Sequence, residues 1–224
     1  MGSSNGIKKT LLYLRTDVYY QDIIAGGSVG HTLGVIQGFL ESGYEIVCVC
    51  TCMEPLLKKI SLKELLTVKN PPLLRFTRWH VGCFIQSFFI LTQVAPLLKK
   101  YRFSAFYQRY SSMNVTGVLL KKWYARKFIL EYNGSEICGQ NYWSNNFSDK
   151  AFAPLVRFIE LLNLRSADTI VVVSAVLKDE LLARGIQEQK ILVNPNGVSP
   201  EQFDRAQFCN EFVVQRELPC AKQL

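Results

Sequence analysis

Short runs of uninterrupted apolar residues alternate along the chain with longer stretches in which apolar residues recur at helical spacing. Thr10-Leu11-Leu12-Tyr13-Leu14 is such a run and predicts a buried strand. Leu33-Gly34-Val35-Ile36-Gln37-Gly38-Phe39-Leu40 predicts a helix, placed over 30–42 and closed by Ser42-Gly43 as a C-cap. Tyr44 to Thr51, rich in β-branched residues and cysteine, predicts the next strand. Strand, helix and strand in this order make a βαβ unit, which pairs its strands in parallel with right-handed crossover.

The alternation continues. Residues 55–67 read as a short basic helix, interrupted at Asn70-Pro71-Pro72, with a strand at 73–78. Strands are predicted at Ser104–Tyr110, Phe128–Asn133, Thr169–Ser174 and Lys190–Val193, and helices at 115–126, 151–166 and 175–184. Phe152, Leu155, Val156, Ile159 and Leu162 share one face of the 151–166 helix, and the 138–150 stretch before it is polar and irregular. The pattern predicts an α/β fold, a parallel sheet with helices on both faces, with ligands at the carboxyl ends of the strands near the switch point.

Trp79 to Leu98 runs twenty residues without a charge, between Arg75 and Arg78 on one side and Lys99 and Lys100 on the other. The length is that of a spanning helix. His80, Gln86, Ser87, Thr92, Gln93 and Pro96 argue instead for a buried or membrane-surface helix.

Composition adds a charge asymmetry. With 49% apolar residues and a mean hydropathy of +0.09, the 224-residue chain is that of a folded globular protein. Its net charge of +8 is uneven: residues 55–127 hold fourteen Lys/Arg and one acid, Glu64, whereas the remainder holds twelve against seventeen. The basic block calls for an anionic partner, such as a membrane surface or a phosphorylated substrate, or else forms a solvated basic face. Nucleic acid is not favoured, because the block spreads over several elements and carries no recognised motif. Cys48, Cys50 and Cys52 alternate without a nearby His or Cys pair and read as small apolar side chains in a reducing compartment. Met1 to Gly6 is polar, without the apolar core of a secretory leader. A cytoplasmic protein, peripheral on the inner face of the membrane, is the expectation. The sequon-like triplets at Asn114, Asn133 and Asn146 are then coincidental.

The candidate chemistry starts at Ala25-Gly26-Gly27-Ser28-Val29-Gly30-His31-Thr32, between the first strand and the first helix. Glycines there let backbone N–H groups approach an anion, and the helix dipole favours negative charge. Gly26, Gly27 and Ser28 are the candidate phosphate loop; the alternative is a tight turn that merely starts a helix. A Gly-x-x-x-x-Gly-Lys-Ser/Thr motif and a full Gly-x-Gly-x-x-Gly are both absent, which removes a P-loop nucleotidase and weakens a dinucleotide oxidoreductase. No Asp-x-Asp pair is present to hold a metal–diphosphate.

Four stretches together resemble family 4 glycosyltransferases of the GT-B fold: Gly26-Gly27-Ser28-Val29-Gly30-His31, Tyr107-Gln108-Arg109-Tyr110-Ser111, Glu131-Tyr132-Asn133-Gly134-Ser135, and Val173-Ser174 with Asn194-Pro195-Asn196-Gly197-Val198 and Phe203. The resemblance implies one half of a GT-B fold, the N-terminal, acceptor-side Rossmann-like domain over 1–198. Residues 199–224 would lead toward a C-terminal donor-binding domain, with Asn196 and Gly197 at the interdomain hinge. It implies sugar transfer from a nucleotide-sugar donor to a lipid-linked or polysaccharide acceptor, retaining and metal-independent, with no cofactor beyond the donor. Gly26, Gly27 and Ser28 would lie near the donor diphosphate. Arg109, Glu131 and Asn133 would touch the acceptor, or tie loops together. His31 reads as a cap or packing residue. The family's donor-phosphate Arg/Lys pair and paired glutamates have no counterpart here, so a truncated chain is expected, inactive alone or working with a separate C-terminal domain. The alternative is a non-catalytic GT-B-like module that assembles with an anionic partner or a separate catalytic subunit.

Overall fold

A computed structural model describes residues 9–17, 27–69, 79–135 and 147–196. Its strands are β1 (Thr10–Arg15), β2 (Glu45–Cys50), β3 (Glu64–Thr67), β4 (Phe103–Arg109), β5 (Lys127–Tyr132), β6 (Thr169–Val172) and β7 (Ile191–Val193). The helices are α1 (Gly27–Glu41), α2 (Glu54–Leu57), α3 (Trp79–Lys100), α4 (Thr116–Tyr124), α5 (Phe147–Ser166) and α6 (Ala175–Ala183). All seven strands pair in parallel, in the order β3-β2-β1-β4-β5-β6-β7. The order reverses between β1 and β4, and the helices that follow these strands, α1 and α4, pack on opposite faces of the sheet. This is the switch point outside whose strand ends sheets of this kind take their ligands.

Alternate side chains of the central strands bury against different helical layers, so these strands are apolar on both sides. Leu11, Tyr13, Ile46, Cys48, Cys50, Ala105 and Tyr107 form a core with Val29 and Ile36 of α1. Leu12, Leu14, Val47, Val49 and Phe106 pack with Ile90, Val94 and Leu97 of α3 and Leu120 of α4. The fold class expected from the alternation is the fold observed. The three cysteines at 48, 50 and 52 are buried with free thiols, and burial pushes the Cys48 thiol well up. No group of three or more metal-ligating side chains occurs among the described residues.

Local chemistry sets the joints. α1 ends where Gly43 adopts φ +81°, with the Tyr44 N–H donating to Phe39 O and the Gly43 N–H to Leu40 O, so the Ser42-Gly43 stop is observed. Ser174 caps α6, its hydroxyl accepting from the Leu177 N–H at 3.2 Å. Gly117 lies against β4 and β5: its N–H donates to Gln108 Oε1 at 2.6 Å, and a Cβ there would stand 2.3 Å from the Phe128 ring.

Several expectations need correction. The 55–67 segment is one turn of helix, α2, followed by strand β3. Its basic residues disguise the strand: Lys63 pairs with Glu45, and Glu64 accepts from Lys100 and from the Tyr101 hydroxyl, so charges flank an edge strand whose side chains are half-buried. α1 begins at Gly27 rather than 30, its first turn held by Arg15 donating to Ser28 Oγ and by Thr32 Oγ1 donating to the Ser28 carbonyl. α5 starts at Phe147, inside the stretch expected to be irregular. The strand expected at 73–78 and the boundary at 198 lie outside the described residues.

The uncharged segment at 79–98 is α3. It lies on the sheet through Ile90, Val94 and Leu97 while Val81, Ile85 and Phe88 face outward. It is long and apolar enough to cross a membrane by composition, and 44% of its most apolar window is buried within the protein.

Candidate functional site

At the strand reversal, hydrogen bonds and ion pairs bring together residues that end β1, β4 and β5 and the first turns of α1. β1 closes on Arg15, a fully buried guanidinium. Its Nη2 donates to Ser28 Oγ at 2.7 Å, its Nη1 to Thr32 Oγ1 at 3.1 Å, and its Nε lies 2.8 Å from Asp17 Oδ2. One planar fork thus fixes the start of α1 to the end of β1. Burial raises the Asp17 carboxyl above its ordinary range, against the opposing pull of Arg15 and Arg109.

Glu131, on β5, is the centre of a second group. Its side chain has no exposed surface. Oε1 accepts from Arg109 Nη1 and from Asn133 Nδ2 at 2.9 Å, His31 Nε2 lies 3.3 Å from the same oxygen, and Oε2 accepts from the Tyr107 hydroxyl at 2.9 Å. Burial by itself would raise this carboxyl; the neighbouring His31, Arg109 and Asn133 outweigh it and lower Glu131 from 4.5 to about 2. Glu131 is therefore an anion at any physiological pH, and a carboxylate held this way is a poor general base. Tyr107 is held in turn by stacking on Tyr13, ring centroids 5.0 Å apart, and burial beside Glu131 pushes its hydroxyl well up.

The loop after β5 is tied from its far side. Ser135 Oγ donates to Glu160 Oε2 at 2.9 Å, and Oε1 of the same buried carboxylate accepts from the Tyr132 hydroxyl at 3.0 Å and pairs with Arg184 Nη1 at 2.5 Å. Residues 133–135 are thereby stretched between two buried glutamates. Each is compensated by an arginine.

Of the residues marked from sequence, Gly27 and Ser28 form the first turn of α1, at the switch point. The first N–H groups of any helix lack intrahelical partners, so this turn presents backbone donors there. Arg109, Glu131 and Asn133 come together as one hydrogen-bonded unit, with Glu131 buried, Arg109 largely so and Asn133 exposed. Asn196 is exposed just beyond β7, while Gly26 and Gly197 lie outside the described residues. Packing is what His31 does, and its imidazole also reaches Glu131.

Sequence reasoning missed Arg15 and Tyr107 as parts of the site. A readable signal existed for the first: a charge placed directly at the end of an unbroken apolar strand has to find partners. Tyr107 gave no signal apart from its neighbours. Asn114, in one of the sequon-like triplets, is fully buried and donates to Thr16 Oγ1 at 2.7 Å, so the folded chain cannot present it for modification.

A seven-stranded parallel sheet whose order reverses between β1 and β4 defines a Rossmann-like α/β unit of the GT-B type. The description Glycosyltransferase Family 4 matches residues 25–202, and the chain belongs to that family. No curated protein matches it by sequence. Among solved structures it is similar to UDP-N-acetylglucosamine 2-epimerase from Rickettsia bellii (TM-score 0.57, 11% identity, 90% of this chain and 48% of that one). It is similar also to UDP-GlcNAc 2-epimerase from Neisseria meningitidis bound to UDP-GlcNAc (0.56, 10%, 84% and 46%) and to the glycotransferase of kitacinnamycin (0.54, 10%, 86% and 52%). At these identities the likeness is one of fold. The chain spans about half the length of these structures.

Proposed function

We propose that this chain is the acceptor-side unit of a glycosyltransferase that moves a sugar from a nucleotide-sugar donor to a lipid-linked or polysaccharide acceptor. The reading rests on one observation: the first turn of α1, pinned by Arg15, and the Arg109–Glu131–Asn133 unit meet at the switch point of the sheet within a chain of this family. Backbone donors of Gly27 and Ser28 face the donor diphosphate. Arg109, oriented by Glu131, and Asn133, the exposed member, face the acceptor. Glu131 and His31 are positioning groups; neither has the open approach a reacting atom needs.

In this reading the transfer retains configuration and uses no metal, and the remaining donor contacts come from a second Rossmann-like unit facing the first. Nucleotide binding by this chain alone is then weak. That the solved neighbours include a protein bound to UDP-GlcNAc supports a nucleotide sugar as ligand of the fold.

The test is donor turnover by the purified 224-residue chain, with and without a separately supplied donor-binding unit of the same family. The expected result is turnover only with both. Turnover by the chain alone refutes the division of labour, and none under either condition refutes the transferase reading.

A further inference from the structure

The two helical layers differ in what they show to solvent. On the layer formed by α3, α4 and α5, large apolar side chains point outward: Val81, Ile85 and Phe88 at helical spacing on α3, Leu155 and Phe158 on α5, and Trp123 at the end of α4. Phe158 is 62% exposed and Trp123 58%, values at odds with a finished surface. The α3 and α5 residues belong to neighbouring helices, since Cys83 of α3 and Val156 and Ile159 of α5 share one core cluster and the rings of His80 and Phe152 lie 5.3 Å apart.

The same layer is basic. No Asp or Glu occurs between residues 65 and 130. Lys99, Arg102, Lys122, Arg126 and Lys127 are exposed at the ends of α3 and α4, in the turns that follow and at the start of β5. Acids lie at its margin, where Asp168 pairs with Lys121 and α6 carries Asp179, and on the opposite layer, with Glu41 in α1 and Glu54 in α2. The apolar strip itself carries no charge over its length on α3.

These features select the occupant. Docking a second copy on this face would bring two cationic rims together, and a polyanion such as nucleic acid leaves the uncharged strip unsatisfied. An anionic bilayer answers both: headgroups meet the cations, and the strip enters the boundary between headgroups and acyl chains.

We propose that the α3–α4–α5 face docks peripherally on an anionic phospholipid bilayer. Val81, Ile85, Phe88 and Phe158 enter the interface while Lys122, Arg126 and Lys127 meet headgroup phosphates. The inference does not depend on which sugar or acceptor the switch point takes.

The experiment is co-sedimentation of the full chain with vesicles of phosphatidylcholine alone and of phosphatidylcholine with phosphatidylglycerol. Partitioning to the anionic vesicles is expected to exceed that to neutral ones by roughly tenfold or more, and to fall steeply with salt. I85S/F88S, at exposed positions that spare the fold, is expected to lower anionic partitioning by about fivefold or more. K122E/R126E/K127E is expected to abolish it, and K59E, on the opposite layer, to leave it unchanged. Circular dichroism confirms that each variant folds. Equal binding to both vesicle types, no binding to either, or I85S/F88S partitioning like the parent overturns the proposal. So does a dimer in sedimentation velocity that I85S/F88S dissociates, which would assign the face to a second copy, and so does tighter binding to a random RNA than to anionic vesicles.

Discussion

Replacing Glu131 by Gln should reveal how much the buried cluster contributes, because the substitution keeps the shape and removes only the charge. The depression of this carboxyl from 4.5 to about 2 reports a preference of the folded state for the anion. At 1.36 kcal/mol per pH unit the preference amounts to roughly 3 kcal/mol at neutral pH. The native pKa lies below the unfolded one, so this stability is fully present above about pH 4.5 and is lost as pH falls toward 2. Breaking a buried ion pair from one side typically costs about 3–5 kcal/mol, in the same range. E131Q is therefore expected to be about 3 kcal/mol less stable than the parent in urea denaturation at pH 7, followed by tryptophan fluorescence. At pH 3 the gap should shrink to roughly half or less, because the parent has by then lost most of the advantage. A gap under about 0.5 kcal/mol at pH 7, or one unchanged at pH 3, would refute the assignment of Glu131 as the charged keystone of β4, β5 and α1.

Other substitutions probe the surrounding structure. G117A places a Cβ 2.3 Å from the Phe128 ring and 2.6 Å from Gln108 Oε1, and is expected to lower stability by about 1–3 kcal/mol in thermal unfolding. G34A meets open space on α1 and is expected to raise stability by about 0.5–1 kcal/mol in the same assay. E160Q removes the anion shared by Tyr132, Ser135 and Arg184, so faster amide exchange at 133–135 is expected, with a loss of about 3 kcal/mol by urea denaturation. R15K keeps the charge but cannot serve Ser28, Thr32 and Asp17 together; a loss of about 2 kcal/mol and faster exchange over the first turn of α1 are expected.

Much of the fold was legible because parallel strands buried on both faces leave unbroken apolar runs, as at Leu11–Leu14 and Ile170–Val172. Where burial is one-sided or partial the signal fades. β3 is half-buried at the sheet edge and surrounded by lysines, so its Glu64-Leu65-Leu66-Thr67 passes for the end of a basic helix. The site was legible in part. Arg109 and Glu131–Asn133 close predicted strands, which puts them at one edge of the sheet beside the Gly27-Ser28 turn. The partners were not legible: Arg15 reaches Ser28 and Thr32, and His31 reaches Glu131, only because α1 packs across β1, β4 and β5, a juxtaposition that local spacing does not encode. The outward strip of α3 was hidden for a related reason. A run of twenty uncharged residues does not say which third of its surface the sheet covers.

The central claim, that the switch point between β1 and β4 receives a nucleotide sugar, is tested most directly by amide exchange on the full chain with UDP-glucose or UDP-GlcNAc at about 10 mM, where even a millimolar site fills. The account predicts slowed exchange confined to the first turns of α1 and to residues 109–112 and 131–135. Protection elsewhere, or none at saturating nucleotide sugar, would contradict it.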